Sequence, residues 1–259
     1  MCGKRQSPID IKTDNVKFDP RLRKFNFFDL ILHRDVKVKI QNNGHTGDRG
    51  WITGTYIVEQ FHFHWGSVDT RGSEHEINGK HFAMEMHVVM HSDRFSSVSD
   101  AMNRTCGLAV LGFLVDVGRE NPYFEKIISH LKEIDHINKT VTLDKFRLAS
   151  LFPRTDCYYR YYGSLTTPMC YESVIWTIFK EHIYISEKQE NSGSEDMINN
   201  YRTPQPLNHG VVTTNCIESF SSVCAEGGRL EKTTSLRRLY KNLPKDNSLA
   251  FQTDFPSPG

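Results

Sequence analysis

The sequence predicts a predominantly β fold with a few short helices, on three observations. Between residues 51 and 186 the chain is dense in β-branched and aromatic residues. They come in short runs bounded by turn-forming residues, as strands do. Helix signals are few. No stretch approaches the roughly 20 apolar residues of a membrane span, and the longest strongly apolar run is Leu108 to Val115.

In chain order, Val36-Lys37-Val38-Lys39-Ile40 alternates and reads as a half-buried strand within an otherwise polar, turn-rich start. Strands are expected next at Tyr56–Trp65, Phe82–His91, Leu108–Val117, Thr140–Thr142, Tyr158–Tyr161 and Ser173–Ile178. Ser97–Arg104 and Tyr123–His130 read as helices, the second opened by Pro122, whose missing N–H costs nothing at a helix start. Lys188–Glu195 is a polar loop. Residues 1–209 are expected to form the domain. Residues 210–259, low in apolar periodicity and ending Phe255-Pro256-Ser257-Pro258-Gly259, are expected to form a mobile tail.

The 259 residues suit one large domain or two small ones. Lys+Arg and Asp+Glu nearly cancel, giving a net charge of +1. Such a balance carries no overall footprint for nucleic acid or an anionic membrane. A glycine-rich phosphate loop, an HExxH motif and a GxSxG elbow are all absent from the sequence.

The chemistry concentrates in Gln60-Phe61-His62-Phe63-His64-Trp65-Gly66. On a strand, alternate side chains share a face. Gln60, His62 and His64 therefore lie opposite Phe61, Phe63 and Trp65, which make a core face. Histidines two apart stand about 6.6 Å apart at Cα, close enough to lean toward one ion. In Ala83-Met84-Glu85-Met86-His87-Val88-Val89, Glu85, His87 and Val89 share a face. If the two strands are neighbours, His87 completes a three-histidine set. Three imidazoles plus one open position is the pattern of catalytic zinc. Gln60 and Glu85, each two residues before a histidine, are placed to accept imidazole N–H groups.

These residues, with others, resemble the α-class carbonic anhydrase family. The matching strings are Arg5-Gln6-Ser7-Pro8-Ile9-Asp10-Ile11, Gln60 to Gly66, Gly72-Ser73-Glu74-His75-Glu76, Glu85-Met86-His87, Leu108-Ala109-Val110-Leu111-Gly112, Gly163-Ser164-Leu165-Thr166-Thr167-Pro168 and Tyr201-Arg202-Thr203-Pro204-Gln205-Pro206-Leu207. They stand in family order from residue 5 to residue 207. The resemblance implies a mostly β (α+β) single domain on a large twisted, mainly antiparallel sheet, with zinc at the base of a conical cleft. It implies one zinc ion per chain, His62, His64 and His87 as ligands, and reversible hydration of carbon dioxide to bicarbonate and a proton. Sulfonamides are the inhibitors it implies.

Further roles rest on the same resemblance. Thr166 would accept from the zinc-bound hydroxide and donate to Glu74. Val89, Val110, Leu165 and Trp176 would form the apolar carbon dioxide pocket, and Thr167 the bicarbonate side. His45, in Asn42-Asn43-Gly44-His45, would relay the released proton, as a side chain titrating near pH 6.5 can. His75 and Tyr161 read as buried structural partners; His81 and His91 as packing or surface residues.

Six cysteines are too few for a disulfide scaffold, and none forms a CxxC pair. Cys2 and Cys170 occupy the places of a disulfide in the family's secreted branch, which points to an oxidising compartment. Cys106, Cys157, Cys216 and Cys224 receive no partner; a Cys216–Cys224 bridge is possible. No apolar stretch near Met1 could act as a secretory signal, so the secreted reading takes the chain as a piece of a longer one. Asn103-Arg104-Thr105 and Asn138-Lys139-Thr140 are glycosylation sequons.

The span from His45 to His62 is shorter than the family's, which carries strands of one cleft wall. Ile185 to Asn200 is also short and is expected to lack a helix. An active zinc enzyme is the main reading. The alternative is a non-catalytic binding or adhesion module with a trimmed cleft, a kind that typically lacks a zinc histidine.

Overall fold

A computed structural model describes residues 3–25, 37–42, 56–134, 139–143, 146–190, 198–217 and 249–254, with the backbone alone for 37–42, residue 190 and 249–254. The strands, in chain order, are β1 (Asp10–Ile11), β2 (Lys17–Phe18), β3 (Lys37–Asn42), β4 (Tyr56–Trp65), β5 (Glu76–Ile77), β6 (Met84–Ser92), β7 (Leu108–Val117), β8 (Thr140–Leu143), β9 (Tyr158–Gly163), β10 (Val174–Phe179), β11 (Ile183–Ile185), β12 (Thr213–Thr214) and β13 (Leu249–Asp254). All seven strands expected from periodicity are present, their ends moved by at most two residues.

Both helices are shorter than expected. Val98–Ala101 is capped by Ser97, whose side chain accepts from the Asp100 N–H, and only Ala101 is buried. With so little apolar surface to anchor it, the helix stops after one turn. Pro122–Ile128 is capped by Asn121 and anchored by buried Phe124 and Ile127. The loop expected at Lys188–Glu195 begins instead with a helical turn, Glu187–Glu190.

One large mixed sheet runs β2-β12-β9-β10-β7-β6-β4-β13-β3-β8, with β11 paired to β7; β1 and β5 form a separate pair. Most of its ladders are antiparallel, but β7 pairs in parallel with β10 and β11. Alternation sends β4 and β6 side chains to two different layers. Phe61, Phe63, Met86, Val88 and Met90 pack with Phe124, Ile127, Phe146 and Leu151 on one face. Val89, Val110, Leu165, Val174, Trp176 and the N-terminal Ile9 and Ile11 pack on the other. β7 is covered on both faces, which accounts for its nearly unbroken apolar run.

The tail expectation is corrected where residues 210–259 are described. β12 pairs with β2 and β9, and β13 lies between β3 and β4. β12 is too short to show a period and Leu249–Asp254 does not alternate, so the partners that make them strands come from distant chain.

The cysteine expectation is corrected as well. Cys157 is bridged to Cys216, with Cα atoms 5.6 Å apart. Cys170 carries a free thiol that donates to the Thr167 carbonyl at 3.3 Å; Cys2, its expected partner, lies outside the described residues. The antiparallel β9–β12 pair brings the sequence-distant Cys157 and Cys216 together, which spacing alone cannot show. The bridge closes a loop across a separation of 59 residues. Reduction is expected to lower unfolding free energy by about 2–4 kcal/mol, chiefly by freeing the unfolded chain. Denaturant titrations of oxidised and reduced protein would measure this; coincident curves would show that the bridge constrains nothing.

Candidate metal centre

β4 and β6 are neighbours, and their register sets His62 directly opposite His87 and His64 opposite Glu85. The condition left open by the sequence is therefore met. All three imidazoles are buried, and their facing nitrogens form a group able to hold a metal ion. The His64 and His87 rings stand 4.6 Å apart, and His62 Nε2 lies 3.1 Å from His64 Nε2.

The outward nitrogens decide what the inward ones offer. His62 Nδ1 donates to the Gln60 side-chain oxygen at 2.8 Å, and His64 Nδ1 to the Asn200 carbonyl at 2.8 Å. His87 Nε2 donates to Glu85 Oε1 at 2.7 Å. Each partner is an oxygen that only accepts, so each outward nitrogen carries the proton. The inward His62 Nε2, His64 Nε2 and His87 Nδ1 therefore present lone pairs to one another. Lone pairs 3.1 Å apart repel unless a cation lies between them. Two nitrogens on one tetrahedral zinc, each about 2.0–2.1 Å from it, stand about 3.3 Å apart. The donor set fits zinc.

Burial, then the neighbouring His64 and His87, hold His62 well below its usual pKa. Burial also lowers that of His64, against the pull of Glu74. Both are neutral when folded and basic near pH 6.5 when unfolded. The unfolded chain thus binds more protons below pH 6.5, and the stability these two residues provide is lost as pH falls. The metal-free chain is expected to melt at progressively lower temperature from pH 7.5 to pH 5.5. The slope reaches up to about 1.4 kcal/mol per pH unit for each histidine that stays neutral. A flat profile would contradict the buried neutral pair.

Glu85 is the hub behind the ligands. It is fully buried, and its Oε2 accepts from the His75 backbone N–H at 2.7 Å. Its Oε1 accepts from His75 Nδ1 and from His87 Nε2, each at 2.7 Å. Burial alone would raise its pKa, but the His75 and His87 imidazoles outweigh that and hold the carboxyl well below its usual range. His75 continues to the Tyr161 hydroxyl at 2.6 Å, and Tyr161 to Ser7 Oγ at 2.9 Å. Gly112 faces His87 in the ladder; a Cβ there would come within 3.2 Å of Glu85 Oε1. His75, Glu85 and His87 also satisfy the spacing of a metal site, but their donors are already spent on one another.

Glu74 is buried beside the trio. Its Oε1 accepts from the Arg202 backbone N–H at 2.8 Å. Its Oε2 lies 3.5 Å from His64 Nε2 and 3.9 Å from His87 Nδ1 and receives no hydrogen bond. The Thr166–Glu74 hydrogen bond expected from the sequence is not formed: with Oε1 held by Arg202, the other oxygen faces the imidazoles. Thr166 follows buried Leu165 at the site, and the Thr167 carbonyl accepts the Cys170 N–H at 3.0 Å. Val89, Val110, Leu165 and Trp176 belong to one apolar cluster, and the Trp176 ring lies 4.8 Å from that of His87. His45 lies outside the described residues. His91, read as packing or surface, is buried, with Nδ1 3.1 Å from Glu59 Oε2. His81 pairs with Glu76 at 2.7 Å.

Two residues had no role assigned from sequence. Asn200 accepts from His64 with its carbonyl and from the Trp65 N–H with its side chain, at 2.7 Å. Arg202 orients Glu74 and donates to the Ser7 carbonyl at 2.7 Å. Arg202 stands in the Tyr201-to-Leu207 string and Asn200 just before it, so the signal was present; the contacts were not.

The sequence profile of the eukaryotic-type carbonic anhydrases matches residues 1–216. Human carbonic anhydrase 12 is 35% identical over 252 residues, covering 87% of this chain and 70% of the relative. Bovine carbonic anhydrase 6 is 38% identical over 237 residues, covering 83% and 74%. Human carbonic anhydrase 3 is 33% identical over 235 residues, covering 81% and 89%.

Proposed function

Because the chain belongs to the eukaryotic-type carbonic anhydrase family, a family of carbonate dehydratases, we propose that it hydrates carbon dioxide reversibly with one zinc ion held by His62, His64 and His87. The observation that carries this is the fixed tautomer of all three imidazoles, which leaves three lone pairs converging. Zinc held there would supply an activated water nucleophile near neutral pH, by bringing the pKa of that water down to about 7, a figure established for carbonic anhydrases.

The chain's own groups do the rest. Gln60, Asn200 and Glu85 fix the tautomer and orientation of the imidazoles, so each turns a lone pair toward the metal position. Val89, Val110, Leu165 and Trp176 offer small, apolar carbon dioxide a dry wall. Thr166 is proposed to donate to Glu74 Oε2, the buried acceptor that lacks a donor. Its hydroxyl oxygen is then free to orient the nucleophile, a positioning effect. Thr167 is proposed to line the bicarbonate side, and His45 to carry the proton to solvent.

The Cys157–Cys216 bridge supports an oxidising, secreted setting, and Asn103 of one sequon is exposed. Among the described residues no helix is long and apolar enough to cross a membrane. The binding-module alternative is not favoured, since every ligand of the metal set is present.

Metal analysis with stopped-flow carbon dioxide hydration, with and without a sulfonamide, tests the proposal. One zinc per chain and sulfonamide-sensitive hydration are expected. A folded, zinc-loaded chain without hydration would return the reading to a binding module.

A further inference from the structure

β4, the strand of His62 and His64, has β6 on one side and β13 on the other. β13 comes from near the opposite end of the chain. It pairs antiparallel with β4 over Ala250–Gln252 and antiparallel with β3 over Leu249–Asp254. β3 and β4, consecutive in the chain, therefore run parallel to each other with β13 between them. Without β13 they would be two unpaired edges about 9–10 Å apart, twice the strand spacing.

The register of β13 matches the pattern on both sides. Phe61, Phe251, Ile40 and Val141 fall in one row across β4, β13, β3 and β8. Gln60, Gln252, Lys39 and Thr142 fall in another. Ala250, a small residue, stands opposite the ligand His62, and Asp254 stands opposite Lys37. A slip of one residue would set Phe251 against Gln60 or His62 on one side and against Lys39 or Gln41 on the other.

We infer that the interval between β3 and β4 is a strand-acceptor slot, that its occupant is the chain's own Leu249–Asp254, and that this strand holds β4 in register and so secures the metal ligands. The link to metal retention rests on the zinc reading above; the slot and its occupant do not. β13 positions the ligand strand through backbone pairing.

Amide hydrogen exchange on the full-length chain tests the slot first. Residues 250–254 and 60–62 are expected to be protected, independently of protein concentration. Unprotected amides at 250–254 would overturn the inference. Protection that falls on dilution would assign the slot to a second copy's strand and overturn the occupant. Full-length Phe251→Pro, which removes a ladder donor, is expected to speed exchange at 60–62 while 174–179 stay protected. It is also expected to release zinc to a chelator about tenfold faster or more, and a synthetic peptide of residues 247–255 should restore retention. Zinc release unchanged in a chain whose 60–62 amides have become exposed would overturn the positioning role. Should the variant unfold throughout, exchange in the unsubstituted chain decides. If that chain holds no zinc, the zinc reading fails, while protection at 250–254 still tests the slot.

Discussion

His64→Ala is expected to abolish stoichiometric zinc binding and to reduce carbon dioxide hydration by about three orders of magnitude or more. The estimate follows from losing Lewis-acid stabilisation worth several kcal/mol, at about 1.4 kcal/mol per tenfold in rate. Both nitrogens of His64 are engaged. Its inward nitrogen lies 3.1 Å from that of His62 and 3.5 Å from Glu74 Oε2, and its outward one is held by Asn200. Two imidazoles would remain, too few for a tetrahedral protein site with one open position. The variant should stay folded in its metal-free form, since alanine adds no unpaired polar group, although the Asn200 carbonyl loses its donor. His81→Ala, at a histidine paired with Glu76 away from the trio, is the matched control and should leave both readings unchanged. Zinc bound one-to-one in His64→Ala would remove this residue from the ligand set.

Glu85→Gln should follow in size, with zinc affinity lower by about 10–100-fold. The charge is only part of the reason. Oε1 accepts from two imidazoles while Oε2 accepts from the His75 backbone N–H. A glutamine has one acceptor oxygen. If it serves the imidazoles, its NH2 meets the His75 N–H donor to donor. If it turns, both imidazoles lose their acceptor and the His87 tautomer is no longer set. Either way a buried donor is left unsatisfied, at about 1–3 kcal/mol. Competitive zinc titration with a chelator and a thermal melt measure the two effects. Unchanged zinc affinity would show that His87 needs no carboxylate behind it.

Much of the fold could be read from the chain because the relevant signals are local. The alternation through Gln60-Phe61-His62-Phe63-His64 assigns each side chain a face without reference to any other strand. β7, buried on both faces, appears as an apolar run, and the Pro122 helix carries its start signal in its own residues. Short strands were not legible. β2, β5 and β12 are two residues each, and what makes them strands is a partner far away in sequence.

For the site, the sequence by itself determined the chemistry. It supplied three imidazoles on two strand faces, acceptors two residues before two of them, and an apolar set beside them. Tertiary structure decided which groups meet. It set His62 opposite His87, brought Asn200 to His64 and Arg202 to Glu74, paired Cys157 with Cys216 and seated β13 beside the ligand strand. The physical reason is range. Periodicity fixes the direction of a side chain within its own strand over a few residues. Hydrogen bonds and disulfides between strands depend on which distant segments are stacked together, and that is set by burying both faces of the whole sheet at once.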